Sequence, residues 1–374
     1  MAINYLYIDD NQDADGIITG LSLKDEIEIN FKNPLGEWEK ERERIVSDGF
    51  KEYDGLIIDL NLEEVKSPES NRFSYYKGST LAQEIRNLSK SGQIRDIPIV
   101  LLSATKNIES FFDKTNENLF DLIVEKENLT PQRYIPFRNK LIALAHGYER
   151  INKVKPEVSI ILDHSMEKED LRFVGEVERA LSDDSTHTFS KFIIRNILKK
   201  EGVLISESLL AARLGVDKGK SGDWNLLLEV ISEKAKYKGV FYEGWERWWM
   251  SSVEDWWYGL EVKLSLRALK ASERVEILTQ VTGFKLVPLE KLEKSKSEQF
   301  WTICKGSGKA IDTIDGILVS GQDNLFPWQD KRYISFDEAL VPTNLPAWTK
   351  VAPSEESKLE FLKKKFPNVR PTRH

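Results

Sequence analysis

The sequence predicts an α/β fold, a doubly wound parallel sheet of five strands, followed by a mostly α-helical (α or α+β) C-terminal part. Two observations support the sheet. Short apolar runs alternate with helical segments over the first 128 residues, and this alternation is typical of βαβ units. Several of these runs are continuously apolar, as expected for strands covered by helices on both faces. Beyond residue 156 the apolar residues recur mainly at helical spacing, which predicts the helical part.

Five apolar runs are the candidate strands. They lie at residues 3–8, 27–31, 56–58, 97–103 and 120–126. Between them, residues 39–50 and 79–88 carry apolar side chains on one helical face, which predicts two of the covering helices. The order of these segments favours parallel strands joined by helical crossovers.

Composition and charge narrow the class of protein. The 374-residue chain has a net charge of −7, and its N-terminal 150 residues hold 19 Lys and Arg against 27 Asp and Glu. The C-terminal remainder is nearly neutral, whereas a nucleic-acid-binding half is usually basic. No apolar stretch reaches the roughly 20 residues of a membrane helix, and the start lacks a signal-peptide layout. One cysteine, Cys304, and four scattered histidines argue against disulfides and zinc and fit a cytoplasmic protein.

Polar residues close four of the five apolar runs. They are Asp9 and Asp10, Asp59, Ser103 and Lys126. Because ligands of such sheets bind at the carboxyl ends of the strands, we expect these side chains to surround one crevice. Three carboxylates there would repel one another, which implies a hard divalent cation such as Mg²⁺. With the ion bound, the central carboxylate is a plausible phosphoryl acceptor, and the lysine and serine can hydrogen-bond the phosphoryl oxygens.

Through these residues, residues 1–128 resemble the CheY-like receiver domain of two-component response regulators, a flavodoxin-like fold with strand order 2-1-3-4-5. The resemblance implies that Asp9 and Asp10 hold Mg²⁺. It also implies that Asp59 contacts the ion and accepts phosphate from a histidine kinase or a phosphotransfer protein. The backbone carbonyl of Asn61 would complete the metal shell.

The resemblance also assigns a switch. Ser103 would be the hydroxyl that moves toward the phosphate, Lys126 its ion-pairing lysine, and Ala104 the small residue that keeps the site open. Two positions depart from the family pattern. Glu127 stands where receivers usually have proline, and Ile123 stands where they have an aromatic switch residue. We therefore expect intact phosphorylation chemistry without conventional aromatic-coupled switching.

A helical segment predicted at residues 129–155 follows the receiver. Thr130 can cap a helix with Pro131 at its first position, although Pro136 allows a later start. Its apolar face is longer than a receiver needs. It could be a stalk, a homodimer surface or simply the last receiver helix packed on its own sheet.

Residues 156–374 form the predicted output domain, rich in tryptophan. Trp245, Trp248, Trp249 and Trp256 share one helical face at heptad-like spacing. Large indoles cluster readily in cores, so an aromatic core is one interpretation. The other is a ligand groove in which Glu254 or a neighbouring carboxylate supplies polar contacts.

Three outputs are consistent with the sequence, and signalling through contacts with a downstream protein fits best. DNA binding is an alternative, since residues 206–225 resemble a helix-turn-helix whose second helix would start near Asp217. Its glycines are poor helix formers, so a short helix ending at Gly215 and followed by a loop competes with it. A receiver-gated enzyme would use Asp312, Asp315 or Glu254, but no nucleophile and base accompany them. We therefore expect at most autodephosphorylation.

Overall fold

The computed structural model describes residues 2–10, 14–47, 50–63, 66–68, 71–111, 116–153, 157–182, 185–341 and 351–367. The chain forms two compact units. The N-terminal unit comprises Met1–His164, Gly175–Asn196 and Lys238–Trp245. The C-terminal unit comprises Ser165–Val174, Ile197–Tyr237 and Glu246–His374. The domain boundaries expected from the sequence stay a prediction, and residues 154–156, where one of them falls, lie outside the described residues.

The N-terminal unit contains a five-stranded parallel sheet. Its strands are β1 (Ile3–Ile8), β2 (Ile27–Lys32), β3 (Gly55–Ile58), β4 (Ile99–Ser103) and β5 (Leu122–Glu125). They are ordered β2-β1-β3-β4-β5, and every neighbouring pair is parallel. This is the flavodoxin-like doubly wound order, so the predicted fold class is confirmed.

Helices connect and cover these strands. They are α1 (Asp15–Leu21), α2 (Trp38–Val46), α3 (Gly78–Lys90), α4 (Thr105–Phe111) and α5 (Pro131–Lys153). Helix α2 ends at Val46, earlier than predicted, and Phe50 has a left-handed φ of 59°. Further along the chain come α6 (Val158–Leu162), α7 (Leu171–Leu181) and α8 (Thr186–Phe192).

The core explains why the strands have continuously apolar sequences. All residues of β3 and β4 are buried, because helices cover both faces of the sheet. Leu6, Ile58, Ile85 and Leu101 belong to one hydrophobic cluster. Burying each such side chain contributes about 1.5–3 kcal/mol. The carboxyl ends of the strands, where the candidate site lies, are therefore held on a rigid support.

Helix α5 begins at Pro131, the earlier of the two predicted starts, and continues through Pro136. It packs on the sheet. Leu141 and Leu144 are buried, and the Tyr5 hydroxyl of β1 donates a hydrogen bond of 2.7 Å to the Leu141 carbonyl. Helix α5 also packs on Tyr242–Gly244 and on α8 of the same unit. Packing within the N-terminal unit, and not on the sheet alone, therefore accounts for this apolar face.

The C-terminal unit is mostly helical with small antiparallel sheets. Its remaining helices are α9 (Glu207–Leu214), α10 (Trp224–Ala235), α11 (Met250–Tyr258), α12 (Ala271–Thr282), α13 (Phe336–Ala339) and α14 (Glu356–Lys365). Its strands are β6 (Leu204–Ile205), β7 (Trp248–Trp249), β8 (Thr302–Ile303), β9 (Ala310–Ile311), β10 (Gly316–Leu318) and β11 (Tyr333–Ser335). They pair as β6–β7, β8–β9 and β10–β11. None of the helices in the described ranges combines the length and the apolar composition that a membrane span requires.

The tryptophan-rich segment is not one helix, so the predicted shared helical face is wrong. Trp245 belongs to the N-terminal unit, Trp248 and Trp249 form β7, and Trp256 lies on α11. Trp248 and Trp249 are 1% and 2% exposed. The Trp248 indole N–H donates to the hydroxyl of Ser232 at 2.9 Å. Their burial favours the interpretation as core over that as a groove.

The predicted second helix of a helix-turn-helix is also absent. Helix α9 ends at Leu214, and the Gly215 that caps it has a left-handed φ of 75°. Val216 forms a β-bridge with Pro288, a loop with turns follows, and α10 begins only at Trp224. The competing prediction, a short helix ending at Gly215 and followed by a loop, is confirmed. Glycine suits this position because it adopts positive φ without steric cost.

Candidate functional site

Three carboxylates meet at the carboxyl ends of β1 and β3. Ile8 and Ile58 are paired in register as the last residues of these strands, so the aspartates that follow them lie side by side. Asp9, Asp10 and Asp59 each offer a carboxylate oxygen within 4.8 Å of the others. All three residues are at most 4% exposed. The three carboxylates predicted from the strand ends are thus brought together.

Lys126 brings one positive charge to this cluster. It follows β5, and its Nζ lies 2.6 Å from Asp9 Oδ2 and 3.3 Å from Asp59 Oδ1. One ammonium cannot balance three carboxylates, so the cluster keeps a surplus of negative charge when all are ionised. Oxygen ligands with this charge are the donor set that Mg²⁺ prefers. The residues present therefore fit a divalent ion.

Burial sets the protonation of Asp59. Removal from water raises the pKa of Asp59 to about 6. The nearby Lys126 ammonium lowers this pKa, whereas the negative charge of Asp9 raises it further. A buried carboxylate disfavours its charged form unless cations or hydrogen-bond donors compensate. Lys126 compensates only in part.

Two buried polar atoms at the site make no hydrogen bond within the described part of the chain. Asp59 Oδ2 accepts one from the Asn61 backbone N–H at 3.0 Å, whereas Asp59 Oδ1 lies 3.3 Å from the Lys126 ammonium and accepts no hydrogen bond of good geometry. The Ser103 hydroxyl at the end of β4 likewise makes none, although it is near enough to lower the pKa of Asp59. Buried polar groups are normally satisfied. An acceptor, a donor and an ammonium thus surround a position that a polar ligand could occupy.

Tyr7 is a site residue that the sequence reasoning missed. Its hydroxyl donates a hydrogen bond of 2.5 Å to Asp9 Oδ2. Burial, followed by the Asp9 charge, raises the pKa of Tyr7 well above its usual range, so the phenol remains a donor. The available signal was the strand period. Tyr7 lies two residues before Asp9 and therefore on the same face of the extended chain.

Gly78 was also missed. It begins α3, and a Cβ atom at this position would lie 2.0 Å from the Asp59 carbonyl oxygen. Its backbone N–H donates to the Leu60 carbonyl at 3.0 Å. The first turn of α3 therefore packs directly on the backbone of Asp59, and only glycine fits there.

The two departures from the receiver pattern have structural roles. The Glu127 carboxylate accepts hydrogen bonds from the Thr105 backbone N–H at 3.0 Å and its hydroxyl at 2.9 Å. It thus secures the start of α4, which follows the half-buried Ala104. Ile123 is partly buried and packs against the hydrophobic core. No aromatic ring is available at this position to change its rotamer.

The carboxylates proposed for an enzyme have structural partners instead. Asp315 is buried and accepts hydrogen bonds from the backbone N–H groups of Lys296 and Ser297 at 2.9 and 2.7 Å. Asp312 is buried and accepts one from the Ser297 hydroxyl at 2.7 Å. Glu254 is exposed on α11. These contacts explain the two aspartates as loop-stabilising groups.

Comparison with known proteins gives matches among solved structures only. No family model matches the sequence, and no curated protein does. A CheY-like response regulator receiver domain from Methylobacillus flagellatus is 20% identical. The match covers 38% of this chain and 99% of that one, with a TM-score of 0.27. A sensor protein from a Polaromonas species is 21% identical over 38% of this chain and 93% of that one, with a TM-score of 0.25. Independently of these matches, the strand order β2-β1-β3-β4-β5 is the flavodoxin-like one.

Proposed function

We propose that the chain is a response regulator of a two-component system that accepts a phosphoryl group on Asp59 in a Mg²⁺-dependent reaction. The observation that carries the proposal is the pair of buried, incompletely satisfied atoms Asp59 Oδ1 and Ser103 Oγ beside the Lys126 ammonium. A phosphoryl group bonded to Asp59 would accept hydrogen bonds from both Ser103 and Lys126.

The metal would be held by Asp9, Asp10 and Asp59, with the Asn61 backbone carbonyl as a further ligand. The first three are the buried carboxylates that lie within 4.8 Å of one another. The carbonyl rests on the receiver resemblance. When bound, the ion supplies charge neutralisation for an incoming phosphoryl group. Tyr7 and Lys126 both hydrogen-bond Asp9 Oδ2, which fixes the orientation of that carboxylate.

The transfer itself needs one nucleophile. An ionised Asp59 attacks phosphorus through Oδ1, so that an O–P bond forms as the N–P bond of a phosphohistidine breaks. The released histidine nitrogen keeps the electron pair of the broken bond. Lys126 and Ser103 donate to the phosphoryl oxygens, stabilising charge as it develops. The phosphodonor would be a histidine kinase or a phosphotransfer protein acting in the cytoplasm.

The signal would leave through protein contacts. Phosphorylation adds negative charge and acceptor oxygens at the strand ends, and drawing Ser103 inward would bias the neighbouring start of α4. Ile123 offers no aromatic rotamer change, so we propose that switching depends on Ser103 and the α4 region. A downstream protein partner would bind the C-terminal part, whether or not the chain forms a homodimer. The absence of a helix at 217–223 removes the feature that favoured DNA binding.

Labelling tests this proposal. The full chain is incubated with Mg²⁺ and radiolabelled acetyl phosphate, and the label should be base-labile, as expected for an acyl phosphate. Asp59→Asn should abolish the label. Asp54→Asn, a matched change at the opposite end of β3, should leave it intact. Omitting Mg²⁺ should also abolish it. An Asp59→Asn protein that is labelled like the wild type would refute the assignment of the acceptor.

A further inference from the structure

A cluster of positively charged side chains surrounds a cavity in the C-terminal unit. The cavity has a volume of about 130 Å³. Residues at the start of α9, in β8 and just before β11 line it. Those used below are Lys200, Ser206, Thr302, Lys305, Lys331 and Arg332. Nothing in the receiver proposal involves these residues.

The two carboxylates in the lining are already engaged. Glu201 accepts a hydrogen bond from the Ser206 backbone N–H at 2.8 Å, where α9 begins. Asp330 forms an ion pair with the buried Arg213. The described lining holds five basic residues against these two carboxylates, so the cavity carries a net positive charge.

Four of the basic residues form no ion pair with a described residue. They are Lys200, Lys305, Lys331 and Arg332. The Arg332 guanidinium donates a long hydrogen bond of 3.5 Å to the Gly321 carbonyl, and its buried Nε has no partner among the described residues. Burial and the charges of Arg332 and Lys305 lower the pKa of Lys200. Solvent screens the exposed Lys305 and Lys331, but a bound anion would compensate the half-buried Lys200 and Arg332.

We propose that this cavity binds a phosphate group, supplied either by inorganic phosphate or by a small phosphomonoester. Lys200, Lys305 and Arg332 would provide charge-assisted hydrogen bonds to the phosphate oxygens. The Thr302 side chain is a further donor in the lining. The volume is well below the roughly 300–1,000 Å³ of sites for drug-sized ligands, so the cavity suits a single anionic group.

A neighbouring cavity offers room for the organic part of a phosphomonoester. It has a volume of about 410 Å³, and its lining shares Ser208 and Ile303 with the smaller one. Lys309 also lines it and forms no ion pair with a described residue. A nucleoside monophosphate could thus place its phosphate among the lysines and its remaining atoms next to Lys309. Inorganic phosphate would use the smaller cavity alone.

Calorimetric titration of the full chain tests the site, with inorganic phosphate and adenosine monophosphate as probes at constant ionic strength. Saturable binding of at least one probe is expected. Arg332→Gln and Lys305→Gln should weaken it about tenfold or more, since each removes a charged donor. Lys305 is exposed, so its substitution should not disturb folding. Lys263→Gln, a change at an exposed lysine of the same unit that lines neither cavity, should bind as the wild type does.

The relative affinities for inorganic phosphate and for adenosine monophosphate distinguish the two sources of the phosphate group. Tighter binding of the monophosphate than of phosphate, weakened by Lys309→Gln, identifies a phosphomonoester. Equal binding that is unaffected by Lys309→Gln identifies the phosphate group alone. If neither probe binds, or if both charge-removing variants bind like the wild type, the site does not exist. Asp59→Asn should leave all of these affinities unchanged, which separates this test from that of the receiver chemistry.

Discussion

Asp59 combines burial with charge. Its side chain lies among two other carboxylates, and only one ammonium compensates them. In a purely structural role this arrangement would be destabilising, because an incompletely compensated buried charge costs free energy. Groups that break local rules of stability in this way are expected at functional sites. This uncompensated charge supports the proposal that the crevice binds a cation and a phosphoryl group.

The same crowding leads to a prediction about stability. Burial raises the pKa of Asp59, so its charged form destabilises the folded protein at neutral pH. In the presence of EDTA, Asp59→Asn removes this charge and should raise the free energy of unfolding by about 1 kcal/mol or more, since a pKa shift of one unit corresponds to about 1.4 kcal/mol. Saturating Mg²⁺ should stabilise the wild type by about 2–3 kcal/mol at a concentration of roughly 100 times the Kd. The variant should respond much less. Urea unfolding with and without Mg²⁺ measures both effects, and a wild type that is insensitive to Mg²⁺ would argue against the metal site.

Most residues of the candidate site could be predicted from the sequence. Asp9, Asp10, Asp59, Ser103 and Lys126 could be found because each closes an apolar run, and the end of a strand can be recognised locally. Tyr7 and Gly78 could not be found in the same way. Their roles depend on distances to atoms of other residues, 2.5 Å to Asp9 Oδ2 and 2.0 Å from an added Cβ to the Asp59 carbonyl.

At the scale of elements, the approach of α3 to the end of β3 restricts residue 78. Gly78→Ala places a methyl group against the Asp59 carbonyl, and either α3 or the end of β3 must move. We expect a loss of stability of about 1–3 kcal/mol, as for other overpacked sites, and reduced labelling by acetyl phosphate. Thermal unfolding and the labelling assay measure these changes.

Gly16→Ala is the matched control. Gly16 also lies in the first turn of a helix, α1, but a Cβ atom there would have no described residue within 4 Å. Alanine should stabilise that helix by about 0.5–1 kcal/mol and leave labelling unchanged. Equal effects of the two substitutions would show that helix propensity, and not contact with Asp59, limits residue 78.

The tryptophan segment shows where element prediction fails. The spacing of Trp245, Trp248 and Trp249 fits a helix, yet the last two form β7 through antiparallel pairing with Leu204–Ile205. Short apolar runs are ambiguous between helix and strand. The partner strand lies more than 40 residues earlier in the chain, so tertiary pairing decided the conformation.

Across the whole N-terminal unit, a buried network joins three helices to the sheet at the amino end of β5. Asp121 accepts hydrogen bonds from Tyr148 of α5 at 2.6 Å and from Arg86 of α3 at 2.9 Å. His187 of α8 lies 3.2 Å from the same carboxylate. Burial alone would raise the pKa of Asp121, but the charges of His187 and Arg86 lower it well below its usual range. The compact unit therefore includes residues far beyond the predicted receiver end at 128.

This network predicts a dependence of stability on pH. Because the folded pKa of Asp121 lies below the unfolded value of about 3.9, its contribution is complete above that pH and is lost as the pH falls through the folded pKa. Asp121→Asn should cost about 3 kcal/mol at pH 7, and the difference from the wild type should shrink in acid. Urea unfolding from neutral to acidic pH measures it, with the exposed Asp25→Asn as control. A difference that is independent of pH would contradict the assigned ionisation.

The doubly wound fold and the five polar residues at the strand ends follow from the amino-acid sequence, because the alternation of apolar runs and the residues that close them are local properties of the chain. Other features appear only in the folded molecule: Tyr7 and Gly78 contact Asp9 and Asp59, the tryptophans divide between a bend, a strand and a helix, and cations from three separate segments surround one cavity. These features arise from contacts between residues distant in sequence, whose pairing is set by the packing of the whole unit and not by any local pattern.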